Sequence, residues 1–233
     1  IKGSAYTYEE FGKKTESISQ LLTIYGINSQ DKVALLSQNM LNWPVAYFSA
    51  AAFGRVIVPL LPDFSETEIE NILDHSEAKA LFISKRLMHK VSKETLDKMN
   101  VVIESDSLEV IHCQENLTKG AIEESYAEDL ATIIYTSGTT GHSKGVMLSH
   151  TNLCSHLEAA RILRPGYDWD IWLSLLPLSH TLECSLSMLL PMLSGSQVYY
   201  IEKAPTPTVL LKALKEVRPT TILSVPLIIE KIY

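Results

Sequence analysis

Residues 135–147 have the sequence Tyr-Thr-Ser-Gly-Thr-Thr-Gly-His-Ser-Lys-Gly-Val-Met, in which hydroxyl side chains alternate with glycines before a single lysine. Glycines allow backbone N–H groups to approach an anion, hydroxyls add hydrogen-bond donors, and lysine adds a mobile positive charge. The residues concerned are Thr136, Ser137, Gly138, Thr139, Thr140, Gly141 and Lys144. This combination predicts a loop that binds the phosphate groups of a nucleotide.

The spacing of this segment excludes two common nucleotide-binding motifs. A Walker loop has glycine directly before its lysine and serine or threonine directly after it, whereas Ser143 precedes Lys144 and Gly145 follows. The dinucleotide fingerprint G-x-G-x-x-G does not occur in the sequence. A flexible linker is the alternative interpretation. Apolar strands predicted at 131–135 and 146–148 flank the segment directly, and loops between packed strands commonly carry function.

The rest of the chain alternates short apolar segments with helical patterns. Strands are predicted at 33–37, 56–60, 79–84, 101–104, 108–112, 131–135, 146–149, 171–175, 197–201 and 220–224. Helices are predicted at 8–25, 43–53, 66–75, 86–98, 152–163, 181–193 and 207–217, the third opened by a capping box from Ser65 to Glu68. The pattern predicts an α/β fold with layered, mostly parallel sheets and helices on both faces.

The amino-acid composition limits the kinds of protein to which this chain is expected to belong. The formal net charge of −7 over 233 residues argues against a nucleic-acid binder, which normally has a basic surface. Cys113, Cys154 and Cys184 are odd in number and widely spaced, so a reducing, cytoplasmic setting is expected. The longest apolar stretch, 44–61, is interrupted by Arg55, so no membrane span is expected.

A basic face is predicted on the helix at 86–98 and the residue before it. Its members are Lys85, Arg86, His89, Lys90 and Lys93. Such a face could contact an acidic membrane surface peripherally, but a solvated helix face is the favoured interpretation.

Three segments together resemble one enzyme family. YTSGTTGHSKGV at 135–146 resembles the phosphate-loop motif of the adenylate-forming superfamily, which includes acyl-CoA synthetases, luciferases and the adenylation domains of peptide synthetases. LPLSHTLE at 176–183 is similar to a segment typical of long-chain acyl-CoA synthetases, and RPTTILSVP at 218–226 resembles a strand of the same family. Ser143 stands where the family usually has proline. The resemblance runs from about Tyr6 to the last residue.

The resemblance implies roles for the loop residues. The hydroxyls would donate to the β- and γ-phosphates of ATP, and the glycines would let the backbone curl round them. Lys144 would neutralise phosphate charge and act in catalysis, while Thr139 would also bind Mg²⁺. The implied nucleotide-binding set is Thr136, Ser137, Gly138, Thr139, Thr140, Gly141 and Lys144.

The second segment supplies a candidate acid site. In the family, the residue matching His180 borders the carboxylate and the acyl entrance, and an imidazole nitrogen can donate to a carboxylate oxygen. Glu183 is one helical turn further on, where it would orient the ring and join the substrate site, or would only face solvent. Amino-acid-activating relatives carry an aspartate where this chain has Thr181, so an amino-acid substrate is disfavoured. A packing or capping role for His180 is the alternative interpretation.

The activity implied by the resemblance is that of an AMP-forming carboxylic acid–CoA ligase. It would adenylate a fatty acid with ATP and Mg²⁺ and then transfer the acyl group to coenzyme A. The alternatives are a ligase for aryl acids, a ligase that loads a carrier protein, and a non-catalytic ATP-binding module. Acyl length, thiol acceptor and oligomeric state are left open.

The resemblance also predicts a division of the chain. Residues 30–163 would form a first α/β subdomain with the phosphate loop, and residues 165–233 with 1–28 would form an incomplete second one. The adenine, ribose and C-terminal lysine elements of the family are not found in the sequence. The chain is therefore expected to be an N-terminal fragment that is inactive alone.

Overall fold

The computed structural model describes residues 4–115, 117–136, 144–203 and 206–230. Its helices are α1 (Tyr8–Ile24), α2 (Trp43–Ala51), α3 (Glu66–Ser76), α4 (Lys93–Lys98), α5 (His150–Leu163), α6 (Thr181–Glu183), α7 (Leu190–Leu193), α8 (Pro207–Val217) and α9 (Pro226–Glu230). Its strands are β1 (Lys32–Leu36), β2 (Val56–Leu60), β3 (Ala80–Ile83), β4 (Val101–Glu104), β5 (Val110–Cys113), β6 (Leu130–Thr136), β7 (Lys144–Ser149), β8 (Ile171–Ser174), β9 (Gln197–Tyr200) and β10 (Thr221–Ile222). A 3-10 helix covers Lys85–Lys90 and a π-helix covers Cys184–Leu189.

Close contacts between Cα atoms divide the chain into two compact units. The first unit contains the described residues of Ala5–Ser37 and Asn42–Thr151. The second contains Ser4, Gln38–Leu41 and the described residues from Asn152 onward.

A sheet forms the centre of the first unit. Among the described residues, seven strands pair in the order β5-β4-β3-β1-β2-β6-β7. The inner pairs are parallel, and the strands at the two edges, β5 and β7, pair in antiparallel fashion. The predicted layered, mostly parallel α/β fold is confirmed.

Side chains of β1 alternate between two buried faces of this sheet. Ala34 and Leu36 belong to a core cluster that includes Ile69, Ile72 and Leu73 of α3. Val33 and Leu35 are also fully buried and point to the opposite face, because successive side chains of a strand alternate. Helix α2 contacts β1 and β2, and none of its described residues belongs to the α3 cluster. Burial on both faces explains why these strands are apolar at successive positions.

The start of α3 follows the local signal found in the sequence. The Ser65 hydroxyl accepts a hydrogen bond from the Glu68 backbone N–H at 3.3 Å, and the Glu68 carboxylate accepts one from the Ser65 backbone N–H at 2.8 Å. The capping box is therefore confirmed. Each side chain satisfies an N–H group that the first helical turn leaves unpaired.

The second unit has its own small sheet and core. Strands β10, β8 and β9 pair in that order, all parallel, among the described residues. Leu173, Leu175 and Ile201 pack against helix α8 through Leu210 and Ala213. Strand β8 leads from this core into the segment that contains His180.

Helix α1 lies in the first unit, where its Phe11 ring meets the Phe48 ring of α2 edge to face with centroids 5.7 Å apart. The Arg55 guanidinium also binds the hydroxyls of Ser19 and Thr23 in α1. The boundary between the units falls inside α5. The division into functional subdomains, 30–163 and 165–233 with 1–28, remains a prediction.

Two predicted helices are interrupted in the structure. The helix expected at 86–98 is a 3-10 helix followed by α4, because Ser92 caps α4 and its backbone N–H donates to Glu70 at 2.6 Å. The ammonium group of Lys90 donates to two backbone carbonyls, so the expected basic face is not a continuous helix face. The helix expected at 181–193 consists of α6, the π-helix and α7. Within the described ranges, helices are too short or too polar to cross a bilayer.

Candidate functional site

Strands β6 and β7 place the two ends of the predicted phosphate loop side by side. In their antiparallel register, Thr136 pairs with Lys144 and Tyr135 pairs with Gly145. Paired residues in such a ladder have Cα atoms about 5 Å apart. Thr136 and Lys144 are both exposed. The central loop residues lie outside the described residues: Ser137, Gly138, Thr139, Thr140 and Gly141.

Gly145 is required where β7 lies against β6. A Cβ atom on this residue would be 2.9 Å from Cγ2 of Ile133 and 3.2 Å from Cζ of Tyr135. Both distances are shorter than normal carbon–carbon contacts. The glycine therefore allows the strand that begins with Lys144 to pack closely against the side chains of its partner strand.

His180 lies in the second unit at the start of a helix. Its backbone N–H donates to the Pro177 carbonyl at 2.9 Å, which closes a turn, and its carbonyl accepts from the Cys184 N–H at 2.9 Å. The residue occupies the cap position of α6, but its side chain makes no capping hydrogen bond. The side chain is exposed, so the imidazole is not committed to packing.

Glu183 is fully buried, with 0% of its surface exposed. Its Oε1 accepts hydrogen bonds from the Ser174 hydroxyl at 2.7 Å and from the backbone N–H groups of Leu175 and Leu176 at 2.9 and 3.3 Å. The interpretation in which Glu183 faces solvent is wrong. Its hydrogen bonds go to the end of β8 and the residues after it rather than to the His180 ring.

Burial governs the ionisation of Glu183. Removal from water raises the pKa of its carboxyl above the ordinary value, and polar contacts with the hydroxyls of Ser174 and Ser187 and with the backbone N–H groups of Leu175 and Leu176 lower it by less. By distance and angle, Oε2 accepts no hydrogen bond within the described residues, so the contact with Ser187 is weak. A negative charge on this side chain is therefore only partly compensated.

Asn39 contacts the same stretch of chain and was missed in the sequence. Its Nδ2 donates to the Leu176 carbonyl at 2.7 Å and to the Ser174 hydroxyl at 3.3 Å. Its Oδ1 accepts from the Leu178 backbone N–H at 2.8 Å. Asn39 is 5% exposed and follows β1 by three residues. An asparagine just after an apolar strand was the available signal, but sequence does not reveal a partner more than 130 residues away.

Within residues 4–115, 117–136, 144–203 and 206–230, His, Cys, Asp and Glu side chains form no group of three or more suited to a metal ion. The predicted Mg²⁺ ligand, Thr139, falls outside these ranges.

A protein-family model described as "AMP-binding enzyme" matches residues 1–233. The chain belongs to this family. The match covers the phosphate-loop segment and the His180 segment together, and it confirms the resemblance found in the sequence.

Two curated relatives of this AMP-binding chain illustrate its place in the family. It is 26% identical to long chain acyl-CoA synthetase 7, peroxisomal, from Arabidopsis thaliana, over 97% of the chain and 35% of the relative. It is 27% identical to a medium-chain fatty-acid–CoA ligase from Escherichia coli strain K12, over 95% of the chain and 42% of the relative. The chain thus spans between a third and a half of the length of these relatives.

Solved structures of similar proteins share the fold of this AMP-binding chain. A putative long-chain-fatty-acid CoA ligase from Rhodopseudomonas palustris CGA009 superposes with a TM-score of 0.84 at 18% identity, over 99% of this chain and 59% of the other. The O-succinylbenzoate coenzyme A synthetase MenE from Bacillus subtilis, solved in complex with AMP, gives a TM-score of 0.82 at 22% identity, over 100% of this chain and 58% of the other.

Family membership leaves the residue roles as predictions. In the first unit of this AMP-binding chain, Thr136 and Lys144 lie together at the mouth of the loop. In the second unit, His180 and Glu183 lie on one short segment. The Glu183 oxygen Oε1 accepts hydrogen bonds from the nearby Ser174 hydroxyl and Leu175 N–H.

Proposed function

We propose that this chain is part of an AMP-forming acid–thiol ligase that activates a fatty acid. A carboxylate oxygen of the acid attacks the α-phosphorus of ATP, and the bond to the β-phosphate oxygen breaks to release pyrophosphate. The thiol of coenzyme A then attacks the acyl carbonyl and AMP leaves. The observation that carries the proposal is the pairing of Thr136 with Lys144 at the open end of β6 and β7, in a chain that belongs to the AMP-binding family.

The phosphate end of ATP would lie at this loop. Negative charge grows on the leaving pyrophosphate, so positioning and charge stabilisation dominate catalysis. Lys144 is exposed at the end of β7 and can bring its ammonium group to those oxygens. The hydroxyls of Thr136, Ser137, Thr139 and Thr140 would donate to the phosphates, and Gly138 and Gly141 would allow backbone N–H groups to do the same.

The described residues around the loop fit a polyphosphate. An exposed lysine directly opposite an exposed threonine supplies a cation and a hydroxyl donor at one place. We propose Thr139 as the ligand of Mg²⁺, which when bound neutralises phosphate charge and prefers oxygen ligands.

The acid would lie next to His180. Its exposed imidazole, at the start of α6, can donate to a carboxylate oxygen. Glu183 would act on the acid site indirectly, since its Oε1 already accepts three hydrogen bonds from the preceding segment. The uncharged Thr181 offers no partner for a substrate ammonium.

A fatty acid is the favoured substrate because the two curated relatives are named as synthetases or ligases of fatty acids. An aryl-acid ligase is the second candidate, because the structural neighbour MenE is named as an O-succinylbenzoate coenzyme A synthetase. The remaining candidate functions are a ligase that loads a carrier protein and a non-catalytic ATP-binding module. The proposed setting is cytoplasmic, consistent with three cysteines that are all free.

The deciding experiment is ATP–pyrophosphate exchange by the protein at its full natural length, with a panel of fatty and aryl acids. We expect exchange that depends on a fatty acid, and a loss of about 100-fold in Lys144→Ala, the effect typical of removing one preorganised charge partner. Lys13→Ala is the matched control, because Lys13 is an exposed lysine on α1 that pairs only with Glu9 among the described residues. An unchanged exchange rate in Lys144→Ala would contradict the assignment.

The panel also separates the alternatives. Exchange with aryl acids alone would replace the fatty acid with the second candidate, and ATP binding without exchange for any acid would leave a non-catalytic module. We further propose that residues 1–233 are inactive alone, since they span only 35% and 42% of the two relatives. Acyl-CoA synthesis by these residues alone would refute that part.

A further inference from the structure

The segment 174–178, which joins β8 to the turn before His180, is held by two buried polar side chains. It runs Ser-Leu-Leu-Pro-Leu and is apolar apart from its first residue. Asn39 and Glu183 both reach into it, and they bind different atoms of its backbone.

Glu183 fixes the first half of the segment. One carboxylate oxygen, Oε1, accepts from the Ser174 hydroxyl and from two successive backbone N–H groups, those of Leu175 and Leu176. Three donors converging on one oxygen set the direction in which the chain leaves β8. The carboxylate also comes from the helix that begins after His180, so the two ends of the turn are joined.

Asn39 fixes the second half of the segment. It donates to the Leu176 carbonyl at 2.7 Å and accepts from the Leu178 N–H at 2.8 Å, so it bridges the residues on both sides of Pro177. The primary amide has donors and an acceptor at one end, which this pattern requires. The Ser174 hydroxyl links the two side chains, because it donates to Glu183 and accepts from Asn39.

His180 follows directly from this bound segment. Its N–H donates to the Pro177 carbonyl, and the neighbouring Ser179 is 3% exposed. The imidazole itself is exposed and makes no capping hydrogen bond. Within the part of the chain that the structure describes, the backbone of 174–179 therefore sets the position of this residue.

We propose that Asn39 and Glu183 are positioning residues that hold the 174–178 segment and thereby place the His180 imidazole for the carboxylic acid substrate. The proposal rests on the proposed function of His180. Burial of a carboxylate and an amide is costly when apolar side chains could fill the same space, and a few systems keep such groups because they specify geometry. A displacement of about 1 Å at a reacting group can cost about 100-fold in rate.

The test uses variants of the full-length protein that remove or keep single atoms of this arrangement. Glu183→Leu removes the acceptor, whereas Glu183→Gln keeps Oε1 and serves as the conservative variant. Asn39→Leu removes both functions of the amide, and Ser174→Ala removes only the linking hydroxyl. Asn42→Leu is the matched control, because Asn42 is a buried amide in the first unit that donates to the carbonyls of Ser105 and Asp106.

We expect kcat/KM for the acid to fall by about 10- to 100-fold in Glu183→Leu and Asn39→Leu, with the KM for ATP unchanged. In Ser174→Ala, kcat/KM for the acid should fall by less and the protein should still fold. Glu183→Gln should retain most of the wild-type activity. Asn42→Leu should lose stability without this loss. Equal losses in Asn42→Leu, a parallel rise in the KM for ATP, or full acid activity in folded Asn39→Leu and Ser174→Ala would each overturn the proposal.

A second readout does not depend on activity. In NMR spectra of protein labelled at histidine, the His180 ring signal, assigned with His180→Gln, should shift in Glu183→Leu, Asn39→Leu and Ser174→Ala but not in Asn42→Leu. An unmoved signal in Asn39→Leu and Ser174→Ala would reject the positioning role. Absence of exchange with every acid in the wild type, together with the expected shifts, would reject only the proposed function.

Discussion

The hydroxyl of Tyr135 lies 2.7 Å from Nδ1 of His75, and the two rings meet edge to face with centroids 5.8 Å apart. Tyr135 is the last buried residue of β6 before the loop, and His75 is near the end of α3. Burial raises the pKa of the Tyr135 phenol, which therefore stays protonated at neutral pH. This pair ties the strand end beside Thr136 to the helix that covers the sheet.

Removal of the Tyr135 hydroxyl tests how much the hydrogen bond to His75 contributes to stability, compared with packing of the ring. Tyr135→Phe keeps the ring and loses one hydrogen bond to an exposed histidine, so we expect a loss of about 1 kcal/mol in the free energy of unfolding. Tyr135→Ala also removes buried ring surface and should lose about 3–5 kcal/mol. Urea denaturation measures both values. Equal losses in the two variants would show that the hydrogen bond, not the ring, carries the contact.

A pair of glycine variants separates close packing from backbone entropy. Gly145→Ala places a Cβ atom against Ile133 and Tyr135, and we expect a loss of about 1–3 kcal/mol from overpacking. Gly12 is exposed in α1 with no atom within 4 Å of an added Cβ, so Gly12→Ala should gain about 0.5–1 kcal/mol. Thermal or urea unfolding measures the change in stability of both variants, including its sign. A gain in Gly145→Ala would contradict the contact described for β7.

The main sheet was predictable because each strand carries its own signal. The run 56–60 is an unbroken apolar segment that coincides with β2, and 33–37 overlaps all but the first residue of β1. Burial on both faces of a parallel strand forces apolar side chains at successive positions, which is visible without tertiary information. The Ser65 capping box is equally local, since its two partners are three residues apart.

Other features depend on partners that are distant in the sequence. The π-helix at Cys184–Leu189 keeps the apolar character of an ordinary helix, so the pattern at 181–193 predicted a single helix. The break before α4 is stabilised by Glu70, which accepts from the Ser92 backbone N–H. The placement of α1 depends on ring contact between Phe11 and Phe48. In the candidate site, residue types were predicted from motifs, but the contacts of Asn39 could be found only from the fold.

The one charged residue that interrupts the apolar stretch 44–61 is a structural cation. Arg55 is 0% exposed, and its guanidinium donates to the Ile27 carbonyl and to the hydroxyls of Ser19 and Thr23. Burial lowers the pKa of Arg55 to about 10, with Asp31 acting in the opposite direction, so the side chain is still charged at neutral pH. The residue joins α1 and the following turn to the start of β2.

Replacement of Arg55 should therefore be costly. Arg55→Met fills part of the space but leaves the buried Ile27 carbonyl without its donor, and we expect a loss of about 3–5 kcal/mol in the free energy of unfolding. Arg161→Met is the control, since Arg161 is an exposed residue of α5 and should change stability by less than about 0.5 kcal/mol. Urea denaturation of both variants measures the difference. Similar values for the two would show that the buried hydrogen bonds contribute little.

Glu183 should give the protein a characteristic dependence of stability on pH. Because burial raises its pKa in the folded state above the ordinary value of 4.5, the folded protein binds this proton more tightly than the unfolded chain. Stability from this group is therefore present at low pH and is lost as pH rises from about 4.5 through the raised folded pKa.

Glu183→Gln keeps the Oε1 acceptor but cannot ionise. The stability of Glu183→Gln relative to wild type should thus increase with pH over this window, by at most about 1.4 kcal/mol per pH unit, and then level off. Urea unfolding of both proteins at a series of pH values from about 4.5 to 8 gives this difference, in which the other titrating groups cancel. A difference that stays constant with pH, or that falls as pH rises, would mean that the carboxyl is ionised in the folded protein at least as readily as in the unfolded chain.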